Sequence, residues 1–371
     1  MPKVSVILPV YNVEKYIREA LDSVVNQTLR DIEIICVDDC STDNSYEILQ
    51  EYAQKDSRFI VLKQEVNQGP GVARNRGLDV ATGDYIMFLD PDDWYELDAC
   101  ESAYNQIVKN NSDFAIFGHN NYFETTKEWQ QDIRSMLKPF EDLDNNYSQI
   151  KDLKHDFIKS TYATMLIYNK SFLNANNIRF PKLKVFEDQA FYMHVMICAE
   201  TLSIIDKPLY NYRINEGSST YAYSNPHENL LQARLKILDL LNQFCKYDIV
   251  KKSIYIHTLE SCLYWQKKQI EKRKNIEYDF FNCVKEIFSH LDKKYMKEKI
   301  KPLVKRPDYK QYQQIIKQNF YTYSFVNNIL KSLIQNIFSV KNEIHNEIKH
   351  KVITILGVKI KIRLKRREKH G

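Results

Sequence analysis

Four short apolar runs in the first 90 residues constrain the fold of this chain more than any other feature. They are VSVILPV, IEIICVDD, FIVLKQE and YIMFLD, spaced about 25 residues apart with helix-like segments between them. A strand–helix–strand rhythm of this kind predicts a parallel sheet with helices on both faces. From about residue 226 the apolar spacing becomes helical. We therefore expect an α/β fold with a Rossmann-like sheet, followed by a mainly helical C-terminal region.

Polar residues cluster where each of these four runs ends. In chain order, the clusters occupy positions 11–12, 38–39, 67–71 and 90–93. In open parallel sheets, ligands bind in the crevice beyond the carboxyl ends of the strands. The sequence therefore predicts that these four clusters form one ligand site.

The segment FLDPDDW at positions 88–94 places three carboxylates within four positions, on Asp90, Asp92 and Asp93. One interpretation makes Asp92 or Asp93 the cap of the next helix, but a cap does not explain three acids together. Closely spaced oxygen ligands suit a hard divalent cation, Mg²⁺ or Mn²⁺. Such an ion would neutralise a leaving diphosphate.

Three other segments each allow a structural and a functional interpretation. Asp38 and Asp39 either begin a turn or accept hydrogen bonds from a nucleotide base or ribose. The stretch NQGPGVARNRGL at 67–78 either presents backbone N–H groups and an arginine to an anion, or is a surface helix with solvated arginines. Glu187 and Asp188 either complement a helix dipole or supply a general base.

Taken together and in this order, the motifs resemble those of family 2 glycosyltransferases with the A-type nucleotide-sugar fold. The matching motifs are VSVILPVYN, VDDCSTD, NQGPGVARNRGL, FLDPDDW and FEDQAF, close across 4–94 and looser to about 220. The N-terminal half also resembles bacterial galactosyl- and hexosyltransferases of surface oligosaccharide synthesis. The resemblance implies an inverting hexosyl transfer from a UDP-sugar to a glycan or glycolipid acceptor, in lipooligosaccharide, capsule or a similar glycan, assisted by Mn²⁺ or Mg²⁺.

The same resemblance implies roles for particular residues. Asp188 would be the catalytic base, and Asp90 and Asp92 would be the metal ligands of the D-x-D motif, with Asp90 also facing the ribose. Pro91 departs from the serine or alanine that is usual between these acids, and it would stiffen the turn. The residues implied to bind the nucleotide-sugar, besides Asp90, are Pro9, Tyr11, Asn12, Asp38, Asp39, Asn67, Gly69 and Arg74.

We divide the chain into three parts. Residues 1–220 are expected to form the A-type catalytic domain, 221–345 a helical region, and 346–371 a basic tail. Apolar spacing predicts a helix at 325–340. Apolar and basic residues alternate at 358–367, which predicts a strand with one basic face, hairpinned at 356–357.

Charge is distributed unevenly along the chain. Residues 301–371 contain 16 Lys and Arg against 4 Asp and Glu, a net +12 within an overall +5. A basic tail of this kind predicts attraction to an anionic membrane surface. The tail lacks interleaved aromatic residues, so we expect no nucleic-acid partner. The oligomeric state stays open.

Neither a signal peptide nor an apolar run of the ~20 residues needed to span a membrane is apparent. The seven cysteines are scattered and suit reduced thiols. We expect a cytoplasmic protein, peripheral on the cytoplasmic face of the inner membrane if the tail binds lipid. The alternatives are a catalytically inactive transferase-fold scaffold, or a membrane- or nucleic-acid-binding protein that uses the basic tail.

Overall fold

The computed structural model describes residues 1–133, 147–153, 162–215, 226–272, 277–317, 339–345, 348–355 and 358–363. The chain divides into two compact units, Met1–Asp308 and Tyr309–Gly371. All seven cysteines are free thiols, as the sequence predicts.

The first unit begins with the parallel sheet that the apolar runs predict. Strands β1 (Val4–Val10), β2 (Ile32–Asp38), β3 (Phe59–Lys63) and β4 (Tyr85–Phe88) are parallel and lie in the order β3-β2-β1-β4. Every residue of β1 and β2 is buried. Strands covered on both faces read as continuous apolar runs instead of alternating patterns.

Three helices connect these strands: α1 (Ile17–Val25), α2 (Ser45–Lys55) and α3 (Pro70–Val80). Helix α3 contacts β1 closely, and Gly77 makes this approach feasible. A Cβ on Gly77 would lie 2.5 Å from Cγ2 of Ile7, nearer than real Cβ atoms come. The position of α3 sets the position of the loop that precedes it, which forms part of the candidate site.

The sheet continues beyond β4 as a mixed sheet, because β9 (Leu166–Asn169) is antiparallel to both β4 and β6 (Phe114–Phe123). Strand β10 (Thr201–Ile214) then pairs in parallel with β6, and β5 (Trp94–Tyr95) pairs antiparallel with β10. The order is β3-β2-β1-β4-β9-β6-β10-β5. Strand β7 (Glu128–Ile133) pairs with β6, and β8 (Tyr147–Gln149) pairs with β10. Helices α4 (Ala99–Asn110), α5 (Lys170–Ala175) and α6 (Glu187–Cys198) connect the strands.

The region after the sheet is helical within the first unit, as predicted. Helices α7 (Pro226–Phe244), α8 (Asp248–Lys272) and α9 (Glu277–Ser289) contact one another, and α7 also contacts α6. A short helix α10 (Lys293–Tyr295), a π-helix (Met296–Ile300) and α11 (Arg306–Lys317) follow. The predicted boundary at 220/221 falls at 216–225, outside the described residues. Over the described part of the chain, no helix has the length and apolar character of a membrane span.

The second unit contains an antiparallel sheet of β11 (Ser339–His345), β12 (Ile348–Ile355) and β13 (Val358–Arg363). Strands β12 and β13 pair antiparallel with Ile355 opposite Val358, and the predicted hairpin turn at 356–357 itself lies outside the described residues. The prediction of a helical region up to 345 is wrong for 339–345. This segment is a strand because it pairs with β12. The spacing of apolar residues along the sequence carries no information about that partner strand. The predicted helix at 325–340 otherwise lies outside the described residues.

Candidate active site

A pocket of about 250 Å³ opens at the carboxyl ends of β1 and β2. It brings together five of the residues predicted to bind the nucleotide-sugar. The residues that line the pocket are Pro9, Val10, Tyr11, Asp39, Asn67, Gly69, Pro70 and Lys184. The side chain of Tyr11 is 45% exposed. Its ring is therefore available to stack on a planar group in the pocket.

Asp39 shapes one wall of this pocket from a buried position. Its carboxylate accepts hydrogen bonds from Nε2 of Gln64 at 2.6 Å and from the backbone N–H groups of Gln68 and Gly69 at 2.8 and 2.7 Å. Burial raises the pKa of Asp39, against the lowering effect of these bonds. Gly69 has φ +91, a conformation that favours glycine. The backbone N–H groups of Gln68 and Gly69, which the sequence analysis considered as donors to a bound anion, therefore donate to Asp39.

Asn12 joins the loops after β1 and β2, and Asp38 braces the loop after β2 from within. The carboxylate of Asp38 is fully buried and accepts from the backbone N–H of Ser41 at 3.3 Å. Oδ1 of Asn12 accepts from the N–H of Thr42 at 2.7 Å, and its own N–H donates to Oγ of Ser41 at 3.1 Å. Within the described part of the chain, neither side chain is among those that line the pocket. Their nucleotide contacts stay predictions.

Arg74 is the cation that the structure places beside the acidic turn. Its Nη2 donates to Oδ1 of Asp90 at 2.6 Å, and its Nη1 donates to Oε1 of Glu187 at 3.0 Å. The guanidinium lies 5.2 Å from the ring centroid of Phe180 and is 5% exposed. The surface-helix interpretation of 67–78 is therefore wrong for Arg74, because this side chain joins the acidic turn to α6.

Asp93 anchors the acidic turn to the sheet. Its carboxylate is buried and accepts from the hydroxyl of Tyr210 at 2.6 Å and from the backbone N–H of Arg213 at 2.7 Å. Burial, then the neighbouring Asp92, raises the pKa of Asp93 well above its usual range. Helix α4 begins at Ala99 with Asp98 at its N-cap position. The cap interpretation of the acidic turn is therefore wrong.

Asp92 is the acid of this turn whose carboxylate has neither an ion pair nor a hydrogen bond from another residue in the described structure, unlike Asp90 and Asp93. Burial, followed by the nearby charge of Asp90, raises the pKa of Asp92 to about 6. Searching the described residues gives no set of three His, Cys, Asp or Glu side chains that could hold a metal. Mg²⁺ is usually held by one or two carboxylates, with phosphate oxygens and water completing its shell. The donor set of Asp92 and Asp90 fits an ion of that kind.

Glu187 and Asp188 begin helix α6, as the dipole interpretation requires. Glu187 is buried and ion-paired with Arg74, whereas Asp188 is half-buried and accepts from the N–H of Gln189 at 2.7 Å. Burial raises the pKa of both carboxyls. A carboxylate with a raised pKa at a partly exposed position suits proton transfer near neutral pH.

Two basic residues of the site, Lys184 and Arg213, are absent from the set of site residues that the family resemblance implies. Lys184 lines the pocket, and the only sequence signal is its position just before the FEDQ motif. Arg213 is buried and pairs with Glu19 and with Glu124, and its Nε donates to the carbonyl of Asp92 at 2.8 Å. Arg213 therefore fixes the acidic turn, and no local motif indicates this because its partners are distant in the chain.

Comparison with known proteins agrees with this fold. Residues 5–175 match the family model Glycosyl transferase family 2. The chain is 38% identical over 226 residues to EpsH from Bacillus subtilis (strain 168), covering 60% of this chain and 64% of EpsH. It is 32% identical over 220 residues to glycosyltransferase GlyG from Streptococcus pneumoniae serotype 4, covering 58% of this chain and 72% of GlyG. The chain thus spans less than two thirds of the length of EpsH.

The fold is similar to the crystal structure of S. aureus TarS 1–349 in complex with UDP-GlcNAc. The TM-score is 0.68 at 23% identity, with 97% of this chain and 98% of that chain covered. The likeness to TarS is one of fold, an α/β sheet with helices. The chain belongs to glycosyl transferase family 2.

Proposed function

We propose that this protein is an inverting hexosyltransferase that uses a UDP-sugar and a glycan acceptor of a bacterial surface polymer. The observation that carries the proposal is the bridge made by Arg74, which contacts Asp90 and Glu187 at once. This bridge holds the acidic turn beside the helix that carries Asp188. Carboxylates for the leaving group and for the attacking group therefore lie at one site.

The donor would occupy the 250 Å³ pocket. Tyr11 would stack on the uracil ring, and Lys184 would place a positive charge near the diphosphate. A UDP-sugar is supported by the TarS fold, since that protein was crystallised with UDP and with UDP-GlcNAc. The relatives do not fix which hexose is transferred.

Asp92, with Asp90, would hold Mn²⁺ or Mg²⁺ against the diphosphate. When bound, such an ion offsets the negative charge that develops on the departing UDP. Asp93 and Arg213 hold the turn so that the carboxylate of Asp92 stays in place. Burial and the nearby charge of Asp90 raise the pKa of Asp92, and a bound cation beside these two carboxylates would offset that repulsion.

Asp188 would accept the proton of the acceptor hydroxyl as its oxygen attacks the anomeric carbon. The new carbon–oxygen bond forms on one face while the bond to the UDP oxygen breaks on the other, and the electron pair leaves with UDP. A single displacement of this geometry inverts the anomeric configuration. Glu187 cannot share this role, since its carboxylate is buried against Arg74.

The tail supports a further part of the proposal, which is attachment to the cytoplasmic face of an anionic membrane near a glycolipid acceptor. Strand β13 carries Lys359, Lys361 and Arg363, and each near-surface cation contributes about 1 kcal/mol of salt-sensitive attraction. Changing all three to Gln should reduce co-sedimentation with anionic vesicles of the full-length protein. A matched control changes three exposed lysines of the first unit, Lys55, Lys109 and Lys236. Equal binding by both variants would reject the tail as an attachment site.

The central test measures UDP release with UDP-Gal, UDP-Glc, UDP-GalNAc and UDP-GlcNAc, with Mn²⁺ and with candidate glycan acceptors. Asp188→Asn should lower turnover about 10²- to 10⁴-fold, while UDP affinity by calorimetry stays near that of the wild type. Asp79→Asn, which changes an exposed carboxylate of α3, is the matched control and should keep full turnover. No UDP release from any donor would favour the inactive scaffold.

A further inference from the structure

Helix α7 contacts the segment that carries Asp188 at two places. Oδ1 of Asn229 accepts from the backbone N–H of Lys184 at 3.1 Å. Nη2 of Arg234 donates to Oε1 of Gln189 at 2.8 Å. The helical region contains none of the family motifs. It nevertheless holds the segment around the predicted base, at Lys184 just before Asp188 and at Gln189 just after it.

Arg234 is in an environment that packing alone does not explain. It is 0% exposed, and its second hydrogen bond goes to Oγ of Ser261 at 2.8 Å. Both acceptors are uncharged, and Nε and Nη1 have no hydrogen-bond partner within the described ranges. Burying a charge without an ionic partner is costly, and an apolar side chain would fill this space without that cost. A role beyond packing would account for the arginine.

Gln189 connects Arg234 to the base. Its side-chain oxygen accepts from Arg234, and its backbone N–H donates to Oδ1 of Asp188 at 2.7 Å. Burial lowers the pKa of Arg234, and nearby Cys262 and Asp188 act in the opposite direction.

We propose that Arg234 is a positioning residue for the transfer reaction. It fixes the side chain of Gln189, and Gln189 in turn orients the carboxylate of Asp188 towards the acceptor hydroxyl. This inference rests on the proposed function, because it requires Asp188 to be the base. Arg234 itself touches neither donor nor acceptor.

The test compares Arg234→Met and Arg234→Lys in the full-length protein. UDP release measures the activity, and calorimetry with UDP measures the concentration of folded binding sites. Misplacement of a reacting group by about 1 Å can lower a rate about 100-fold. We expect Arg234→Met to lower kcat about 10- to 100-fold per UDP-binding site, with donor KM and UDP affinity close to those of the wild type. Arg234→Lys should recover part of kcat, because an ammonium also donates to Gln189.

Leu238→Ala is the matched control, since Leu238 is a buried α7 residue without a polar contact role. It should lower the unfolding temperature and leave kcat per UDP-binding site unchanged. Gln189→Leu provides a second route that keeps the backbone N–H, and it should lower kcat in the same direction as Arg234→Met. The double variant should be no slower than the slower single variant, because coupled residues are not additive.

The outcomes separate this inference from the proposed function. If Asp188→Asn keeps normal turnover, the assignment of the base fails, and the role of Arg234 fails with it. If Asp188→Asn is inactive while Gln189→Leu and a folded Arg234→Met keep normal kcat, only the role of Arg234 is overturned. If Arg234→Met does not fold, Gln189→Leu alone decides: reduced kcat at unchanged UDP affinity supports the inference, and normal kcat overturns it.

Discussion

Oδ1 of Asp90 lies 2.6 Å from Nη2 of Arg74, whose side chain is 6% exposed. The same guanidinium contacts Glu187 at 3.0 Å. The strand that ends at the acidic turn and the helix that begins at the base are thus joined by one buried cation. A substrate-bound ion is therefore not needed to hold all three acids of this turn together. Asp90 is paired with Arg74, and Asp93 accepts hydrogen bonds from β10, so the carboxylate of Asp92 is the one without such a partner.

The first prediction concerns the stability supplied by this bridge. Arg74→Met leaves Glu187 buried without a partner, and removing one member of a buried pair costs about 3–5 kcal/mol. Urea unfolding should show a loss of that size. Arg74→Met/Glu187→Gln should recover part of the loss, because the uncompensated charge is gone. Arg76→Met, an exposed neighbour on α3, is the control and should change the free energy of unfolding by less than about 0.5 kcal/mol.

The second prediction concerns the metal. Asp92→Ala should abolish the increase in UDP affinity that Mn²⁺ produces in the wild type, because the carboxylate short of a cationic partner is removed. With EDTA present, the variant and the wild type should bind UDP equally. Asp79→Ala should retain the Mn²⁺ effect. Isothermal calorimetry with and without Mn²⁺ measures this, and an unchanged Mn²⁺ effect in Asp92→Ala would show that the ion binds elsewhere.

The third prediction concerns Tyr11 at the pocket wall. Stacking of a base on an aromatic ring contributes about 1–3 kcal/mol, so Tyr11→Ala should weaken UDP binding by about 5- to 150-fold. Tyr11→Phe keeps the ring and removes only the hydroxyl, and it should bind UDP nearly as well as the wild type. Equal losses in both variants would mean that the hydroxyl, not the ring, contacts the nucleotide.

The fourth prediction concerns pH and uses Glu33, a buried carboxylate away from the pocket. It accepts from Oγ of Ser5, from the backbone N–H groups of Thr82 and Gly83, and from Oγ1 of Thr82. Burial alone would raise the pKa of Glu33, but these bonds lower it below the usual 4.5. A lowered folded-state pKa stabilises the fold above pH 4.5, and this stability is lost as pH falls through the folded-state pKa.

Glu33→Gln should therefore be less stable than the wild type by about 1–3 kcal/mol at pH 7, because four donors lose a charged acceptor. The difference should shrink as pH falls below about 4.5. Urea midpoints measured from pH 3 to pH 7 give the comparison. Glu47→Gln on exposed α2 is the control, and a pH-independent difference for Glu33→Gln would rule out its titration as the cause.

Local sequence was informative where the chemistry is local. Hydrophobic runs predicted β1 to β4, because burial on both faces requires nearly continuous apolar residues. The order of the motifs indicated the family, and the family model over 5–175 agrees. Spacing did not distinguish Asp38 from Asp39, although only Asp39 lines the pocket.

Sequence alone thus determined the parallel part of the sheet, the edge of that sheet where the pocket opens, and the acidic residues gathered there. Tertiary structure decided how those acids are used. Which carboxylate is paired, buried or left for a ligand depends on Arg74, Tyr210 and Arg213. Apart from Arg74, these partners come from chain positions far from the motif, and only folding sets their distances.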